Sequence, residues 1–107
     1  MYYRRDGSPI EGENAVLEMA KIFNNGDERV DLTRFEDGTV VSTVFLCLDH
    51  SHGLKEEKPL IFETMVFSEN GDADGDMSRY STEEGAKEGH KQMVEKWLKK
   101  LKTTVKV

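Results

Sequence analysis

The sequence predicts an α+β fold in which a three-stranded antiparallel β-meander packs with two α-helices, in the order α-β-β-β-α. β-Branched and aromatic residues dominate two runs at 39–48 and 59–67, and Asp37-Gly38 precedes the first of them. Apolar residues recur at helical spacing before and after these runs. The 107 residues predict a single domain, with residues 1–7 as an N-terminal arm and residues 103–107 as a frayed tail.

The first helix is predicted from about Glu13 to Asn24, and Asn25-Gly26 supplies its stop. Five apolar residues follow helical spacing within it: Ala15, Val16, Met19, Ala20 and Phe23. We expect them to pack on the sheet, and a partner-binding face is the functional alternative. Residues 2–5 are predicted as a short edge strand or an ordered arm.

The three predicted strands are residues 29–35, 39–48 and 59–67. The second and third are apolar on both faces, whereas an antiparallel sheet with one wet face usually alternates more cleanly. Helices over both faces, the arm folded over one face, or a second subunit would each provide the missing cover. Residues 68–78 are predicted as an acidic, glycine-containing loop.

The last helix is predicted from a capping box in which Ser81 is the N-cap and Glu84 reaches back. Seven residues form its apolar stripe: Ala86, His90, Met93, Val94, Trp97, Leu98 and Leu101. Gly85 and Gly89 lie one turn apart, which indicates the close approach of a crossing strand or of a partner chain.

Composition argues against several functions. The net charge of −6 and the pI near 5.1 disfavour nucleic-acid binding. The order of elements also suits a double-stranded RNA-binding domain, but Glu83 and Glu84 stand where such a domain presents cations. The lone Cys47 fits a buried position in a reducing compartment. Because no signal or membrane segment is found, we expect a soluble, cytoplasmic protein.

Three strings resemble those of a family of small uncharacterised proteins from bacteriophages and prophages. They are VSTVFLCLDH at 41–50, PLIFETMVF at 59–67 and RYSTEEGAKEGH at 79–90. Members typically open with a tyrosine- and arginine-rich arm, as residues 2–7 do here. The chain departs from the pattern at Ser51-His52, where a glycine and an aromatic residue are common. The resemblance implies a phage or prophage origin and no particular activity.

Polar residues within apolar segments are the candidate site. Glu63 interrupts a strand and His90 lies on the stripe of the last helix, so the two would meet if that helix packs on the face of Ile61, Glu63 and Met65. They would form either a buried pair that fixes helix register or, with His50, an acid–base site. Arg79 and Tyr80 are candidate partner anchors. The full set of candidate binding residues is Asp49, His50, Glu63, Arg79, Tyr80 and His90.

Two metal hypotheses are weaker than these. His50, His52 and His90 with Glu63 would offer imidazole and oxygen ligands, but the family pattern lacks His52. Residues 70–76 resemble a calcium loop, but Ser81 stands where the bidentate glutamate belongs. No metal or cofactor is therefore predicted.

The sequence thus predicts a host-cytoplasmic phage accessory protein that binds a protein partner, either another protein or a second copy of itself. The alternative is a small enzyme or a ligand- or metal-binding protein that uses His50, Glu63 and His90.

Overall fold

The computed structural model describes residues 2–12, 14–49 and 58–106, and it has two helices and six strands within them. Their bounds are β1 Tyr2–Tyr3, β2 Pro9–Ile10, α1 Asn14–Asn24, β3 Arg29–Arg34, β4 Val40–Phe45, β5 Phe62–Phe67, β6 Ala73–Tyr80 and α2 Glu83–Leu101. The predicted α+β class with two helices is confirmed. Glu13, the predicted start of the first helix, lies outside the described residues.

The main sheet has four antiparallel strands in the order β3-β4-β5-β6, so the prediction of three was too few. The missed strand is β6, which occupies much of the predicted acidic loop. Its aspartates and Gly75 are typical of a loop, yet edge strands tolerate charge and glycine that a central strand would not. Gly75 has a φ of 98° and lies where the β5–β6 register shifts, as expected for a bulge.

The turn between β3 and β4 forms at the predicted place. The Phe35 N–H donates to the Thr39 carbonyl at 2.8 Å, and the Gly38 N–H donates to the Phe35 carbonyl at 3.0 Å. Gly38 has a φ of 94°, a left-handed backbone that glycine adopts without steric cost. A Cβ at this position would also collide with the side chain of Glu69. Two independent constraints therefore require glycine here.

Helix α2 crosses all four strands on one face of the sheet. The cap is Thr82, whose Oγ1 accepts from the Gly85 N–H at 3.0 Å, so the prediction of Ser81 was wrong by one residue. The helix buries Ala86, Gly89, His90, Met93 and Trp97, which belong to or continue the predicted stripe. Beneath it lie two hydrophobic clusters, one around Phe45 and Phe62 and the other around Phe35, Val41 and Trp97.

Helix α1 and the small β1–β2 sheet add to the first of these clusters. Ala15 is buried in it, and Met19 and Ile22 pack against it. By contrast, Val16 and Phe23, which were predicted to pack, are exposed. The helix is therefore rotated relative to the prediction. No helix in the described residues has both the length and the apolar character needed to cross a bilayer.

Both ends of the described chain are tied to the sheet region. The Tyr3 N–H donates to the carbonyl of the buried Cys47 at 2.7 Å, and Tyr2 pairs with Leu48. At the other end, Val105 pairs with Phe35, and the Lys106 N–H donates to the Arg34 carbonyl at 2.8 Å. Up to Lys106, the tail that was predicted to fray is instead paired along the end of β3.

Candidate interaction surface

The two faces of the main sheet differ in what covers them. Along β4 and β5, buried residues alternate with half-buried ones. Thr43 belongs to the buried series and contacts His90 of α2, so the buried series faces the helices. Because neighbouring side chains on a strand point to opposite faces, the half-buried series faces away from them. We call this second side of the sheet the open face.

Strand register arranges the open face in three rows that run across the strands. The first row is Arg29, Val44, Glu63 and Arg79; the second is Leu32, Ser42, Met65 and Met77; the third is Arg34, Val40, Phe67 and Ala73. Every one of these residues is at least partly exposed, and neither core cluster includes any of them. Apolar side chains dominate the second and third rows, whereas charged side chains dominate the first.

Two of the predicted site residues meet on the open face. The Arg79 Nε lies 3.1 Å from the Glu63 Oε2, and both side chains are partly shielded from solvent. Such a pair orders the end of the face and neutralises its carboxylate, while the stem of the arginine covers apolar surface. Arg79 and Glu63 are therefore placed where a partner could contact them.

His90 lies on the other side of the sheet, within a network of threonines. Its Nδ1 is 2.7 Å from the Thr43 Oγ1, and its Nε2 is 2.8 Å from the Thr33 Oγ1. Thr43 is also joined to Thr64, and the Asp31 carboxylate lies 3.7 Å from Nε2. Burial lowers the pKa of His90, and the charge of Asp31 partly opposes that shift. The imidazole therefore favours its neutral form.

The acid–base hypothesis depended on Glu63 and His90 meeting, and they do not. Helix α2 packs on the face of Phe62, Thr64 and Val66, so Glu63 points away from it. His50, the third member, lies outside the described residues. The other hypothesis, a buried Glu63–His90 pair that fixes helix register, is wrong for the same reason. Hydrogen bonds with Thr33 and Thr43 satisfy the buried imidazole instead.

Tyr80 is the close neighbour of Gly89 that the glycine spacing predicted. A Cβ added to Gly89 would lie 2.1 Å from the Tyr80 hydroxyl oxygen and 2.2 Å from the carbon that bears it. Of the two predicted neighbours, a crossing strand is therefore confirmed at Gly89. Tyr80 and Arg79 lie on opposite faces, so the two predicted anchors do not form one site.

Asp49 lies at the base of the connection between β4 and β5. Its Oδ1 accepts a hydrogen bond from the Leu60 N–H at 2.9 Å. This contact joins the two described ends of that connection. It explains an acidic residue at this position without a ligand, although it does not test a binding role.

Two ligands of the imidazole hypothesis, His50 and His52, lie outside the described residues. No group of three or more histidine, cysteine, aspartate or glutamate side chains among them could hold one ion. The calcium-like stretch is divided between a turn and β6. Asp76 from that stretch accepts hydrogen bonds from Lys96 and from the Trp97 Nε1, each at 2.7 Å. That carboxylate therefore anchors the end of α2 to the sheet.

A second apolar surface lies on α1. Val16 is 56% exposed, Leu17 is 64% exposed and Phe23 is 42% exposed. None of these three side chains belongs to the inward side of the helix, which Ala15, Met19 and Ile22 form. This second apolar surface lies on a different part of the molecule from the open face, because α1 packs with the α2 side of the sheet.

Most residues of the open face were not singled out from the sequence as site residues. The signal that pointed to them was the apolar character of both faces of two strands, which demanded a cover that the chain had to supply or borrow. Comparisons with protein-family models, with curated proteins and with solved structures each found no match. The phage resemblance therefore stays a prediction.

Proposed function

We propose that this chain is a small phage or prophage accessory protein that works in the host cytoplasm by binding a protein partner through the open face. The observation that supports this most directly is the row of Leu32, Met65 and Met77, which is apolar apart from Ser42 and partly exposed. Exposed apolar patches rimmed by polar groups are typical of interaction sites.

The positions of the described helices and of the β1–β2 arm support this proposal. Both helices pack on the face of Thr43 and Phe45, and the β1–β2 arm joins the same cluster. Among the described elements, none therefore covers the open face. A partner molecule would provide that cover.

The dimensions of the open face also suit a partner. Strands lie about 4.8 Å apart, and rows at every second residue lie about 6.6 Å apart, so three rows across four strands cover roughly 400 Å². A standard interface takes about 800 Å² from each partner, so the partner must extend past the sheet or bind weakly. A transient regulatory contact fits this size.

The competing enzyme hypothesis loses its geometric basis. It required Glu63 and His90 to converge, and the two residues face opposite sides of the sheet. No observation on the described residues favours it over partner binding.

Site-directed photo-crosslinking tests the proposal. A benzophenone side chain at position 42, in the centre of the open face, should crosslink to one protein in host cells that express the chain. The same group at position 88, on the exposed side of α2, is the matched control and should not. Met65→Glu should abolish the crosslink, whereas Leu17→Glu on the α1 surface should preserve it. The proposal would be refuted if only position 88 gave a crosslink. It would also be refuted if Met65→Glu left the crosslink from position 42 unchanged.

A further inference from the structure

The open face is basic although the chain is acidic. Arg29, Arg34 and Arg79 lie in its three rows, in which Glu63 is the one carboxylate among the described residues, whereas the whole chain has a net charge of −6. Glu63 is already paired with Arg79. Among the described residues, no carboxylate lies within ion-pair distance of Arg29 or Arg34, which flank Leu32 along the outer edge of β3.

A cleft continues this charge beyond the edge of the sheet. It has a volume of about 450 Å³ and lies between β3 and the paired tail. Among the described residues its lining is Leu32, Thr33, Arg34, Val105 and Lys106, and these five combine two cations with apolar side chains and carry no carboxylate. The nearby Asp31 accepts from the Leu32 N–H at 2.8 Å and also faces His90. The cleft therefore offers a carboxylate group two cations beside an apolar floor.

Charge decides between the possible occupants. A second copy docked face to face would bring together two surfaces that each carry more arginines than carboxylates in their described rows, which is unfavourable. Nucleic acid would meet one aromatic side chain, Phe67, on a chain whose overall charge repels phosphate. An acidic protein segment with an apolar stripe matches both the apolar rows and the arginines at the edge of β3, which have no carboxylate partner among the described residues.

We propose, resting on the function proposed above, that the partner presents an acidic amphipathic segment to the open face. Its apolar side chains cover Leu32, Met65 and Phe67. Its carboxylates bind Arg29 and Arg34 at the edge of β3, and one enters the cleft beside Lys106. Contact with the cleft adds area beyond the sheet, and the total area is therefore closer to that of a standard interface.

Binding of designed peptides tests this chemistry directly. The probe is a fluorescein-labelled amphipathic peptide of about four helical turns, with leucine on one side and glutamate on its flanks. A second peptide has lysine in place of every glutamate. Fluorescence anisotropy with the full chain should show saturable binding of the glutamate peptide and none of the lysine peptide. Polythymidylate tests nucleic acid as the occupant, and vesicles of anionic phospholipid test a membrane surface.

Matched charge variants locate the site. The double variant Arg29→Gln with Arg34→Gln should bind the glutamate peptide about tenfold or more weakly, since each desolvated ion pair contributes on that scale. Lys87→Gln with Lys99→Gln removes the same charge from exposed positions on α2 and should change affinity by less than about twofold. Equal binding by both double variants would overturn the inference, as would preference for the lysine peptide, for polythymidylate or for vesicles.

The two proposals fail separately. If no glutamate peptide binds but position 42 still crosslinks to a host protein, the acidic segment is wrong and the open face remains a protein-binding site. If position 42 yields no crosslink either, both proposals fall.

Discussion

The imidazole of His90 and the hydroxyl of Thr43 lie 2.7 Å apart at the centre of the interface between α2 and β4. His90 is 2% exposed and Thr43 is fully buried. A buried hydrogen bond between polar side chains has one favourable geometry, whereas the apolar residues on either side could slide past one another. The contact therefore sets the position of α2 along the sheet.

Replacement of His90 by alanine tests this structural role. His90→Ala leaves a cavity and removes the partner of Thr33, so we expect the free energy of unfolding to fall by about 2 to 4 kcal/mol. Urea denaturation followed by the fluorescence of Trp97, the single tryptophan, measures the change. Glu88→Ala, on the exposed side of the same helix, should be nearly neutral. Equal midpoints for the two variants would contradict the role given to His90.

The same residue predicts a pH dependence with a defined sign. Burial lowers the pKa of folded His90 below its ordinary value of 6.5, although Asp31 partly opposes this. The unfolded chain therefore takes up the proton first as pH falls. Stability from this group is complete above pH 6.5 and declines below it, by at most about 1.4 kcal/mol per pH unit, until the folded pKa is reached.

Thermal denaturation between pH 8 and pH 5 measures this decline. The comparison is with His90→Gln, which keeps an amide near the threonines and does not titrate. The difference in Tm between the wild type and the variant should shrink as pH falls through 6.5. Two parallel curves would show that His90 does not titrate differently on folding.

The network around His90 also shows what the sequence could and could not predict. The apolar stripe of α2 and the turn at Gly38 follow from local spacing, and both were predicted. The side of the sheet that α2 covers could not be predicted, because Met65 and Phe67 on one side look as apolar as Phe62 and Val66 on the other. Thr43 and Thr64 decide it through a contact that only the tertiary fold creates.

Two other errors have similar local causes. Strand β6 was taken for a loop because its aspartates are unfavourable in a central strand, whereas its edge position lets Asp76 bind Lys96 and Trp97. Helix α1 has apolar residues around most of its circumference, so Val16 and Phe23 competed with Ala15 and Ile22 for the inward side. The sequence pattern therefore located α1 but did not predict which of its side chains face the core, and it did not identify β6 as a strand.

Replacing Gly89 by alanine should lower or raise stability depending on the side chain at position 80. Gly89→Ala alone should lower stability by about 2 kcal/mol, because its Cβ would overlap the ring of Tyr80. In a Tyr80→Ala background the overlap is gone, and the same change should instead stabilise the helix by up to about 1 kcal/mol. Urea denaturation of the four chains gives the coupling free energy. Additive effects would show that Gly89 and Tyr80 are not in close contact.

At the end of α2, the ion pair between Asp76 and Lys96 should contribute less to stability than the hydrogen bond from Trp97 to Asp76. Its carboxylate accepts from the Trp97 Nε1 and from Lys96, and the hydrogen bond from Lys96 is the main reason that its pKa lies below the ordinary value. Asp76→Ala leaves the buried indole N–H without this acceptor and should cost about 1 to 3 kcal/mol. Asp76→Asn keeps an acceptor and loses only a surface ion pair, so it should cost less than about 1 kcal/mol.

Urea denaturation ranks the two Asp76 variants, and Trp97 reports on the contact itself. Asp76→Ala should shift the emission maximum of the indole, whereas Asp76→Asn should leave it close to that of the wild type. Lys96→Met removes the ion pair from the other side and should match Asp76→Asn in stability. If Lys96→Met proves as costly as Asp76→Ala, the ion pair rather than the indole hydrogen bond holds this end of α2 to the sheet.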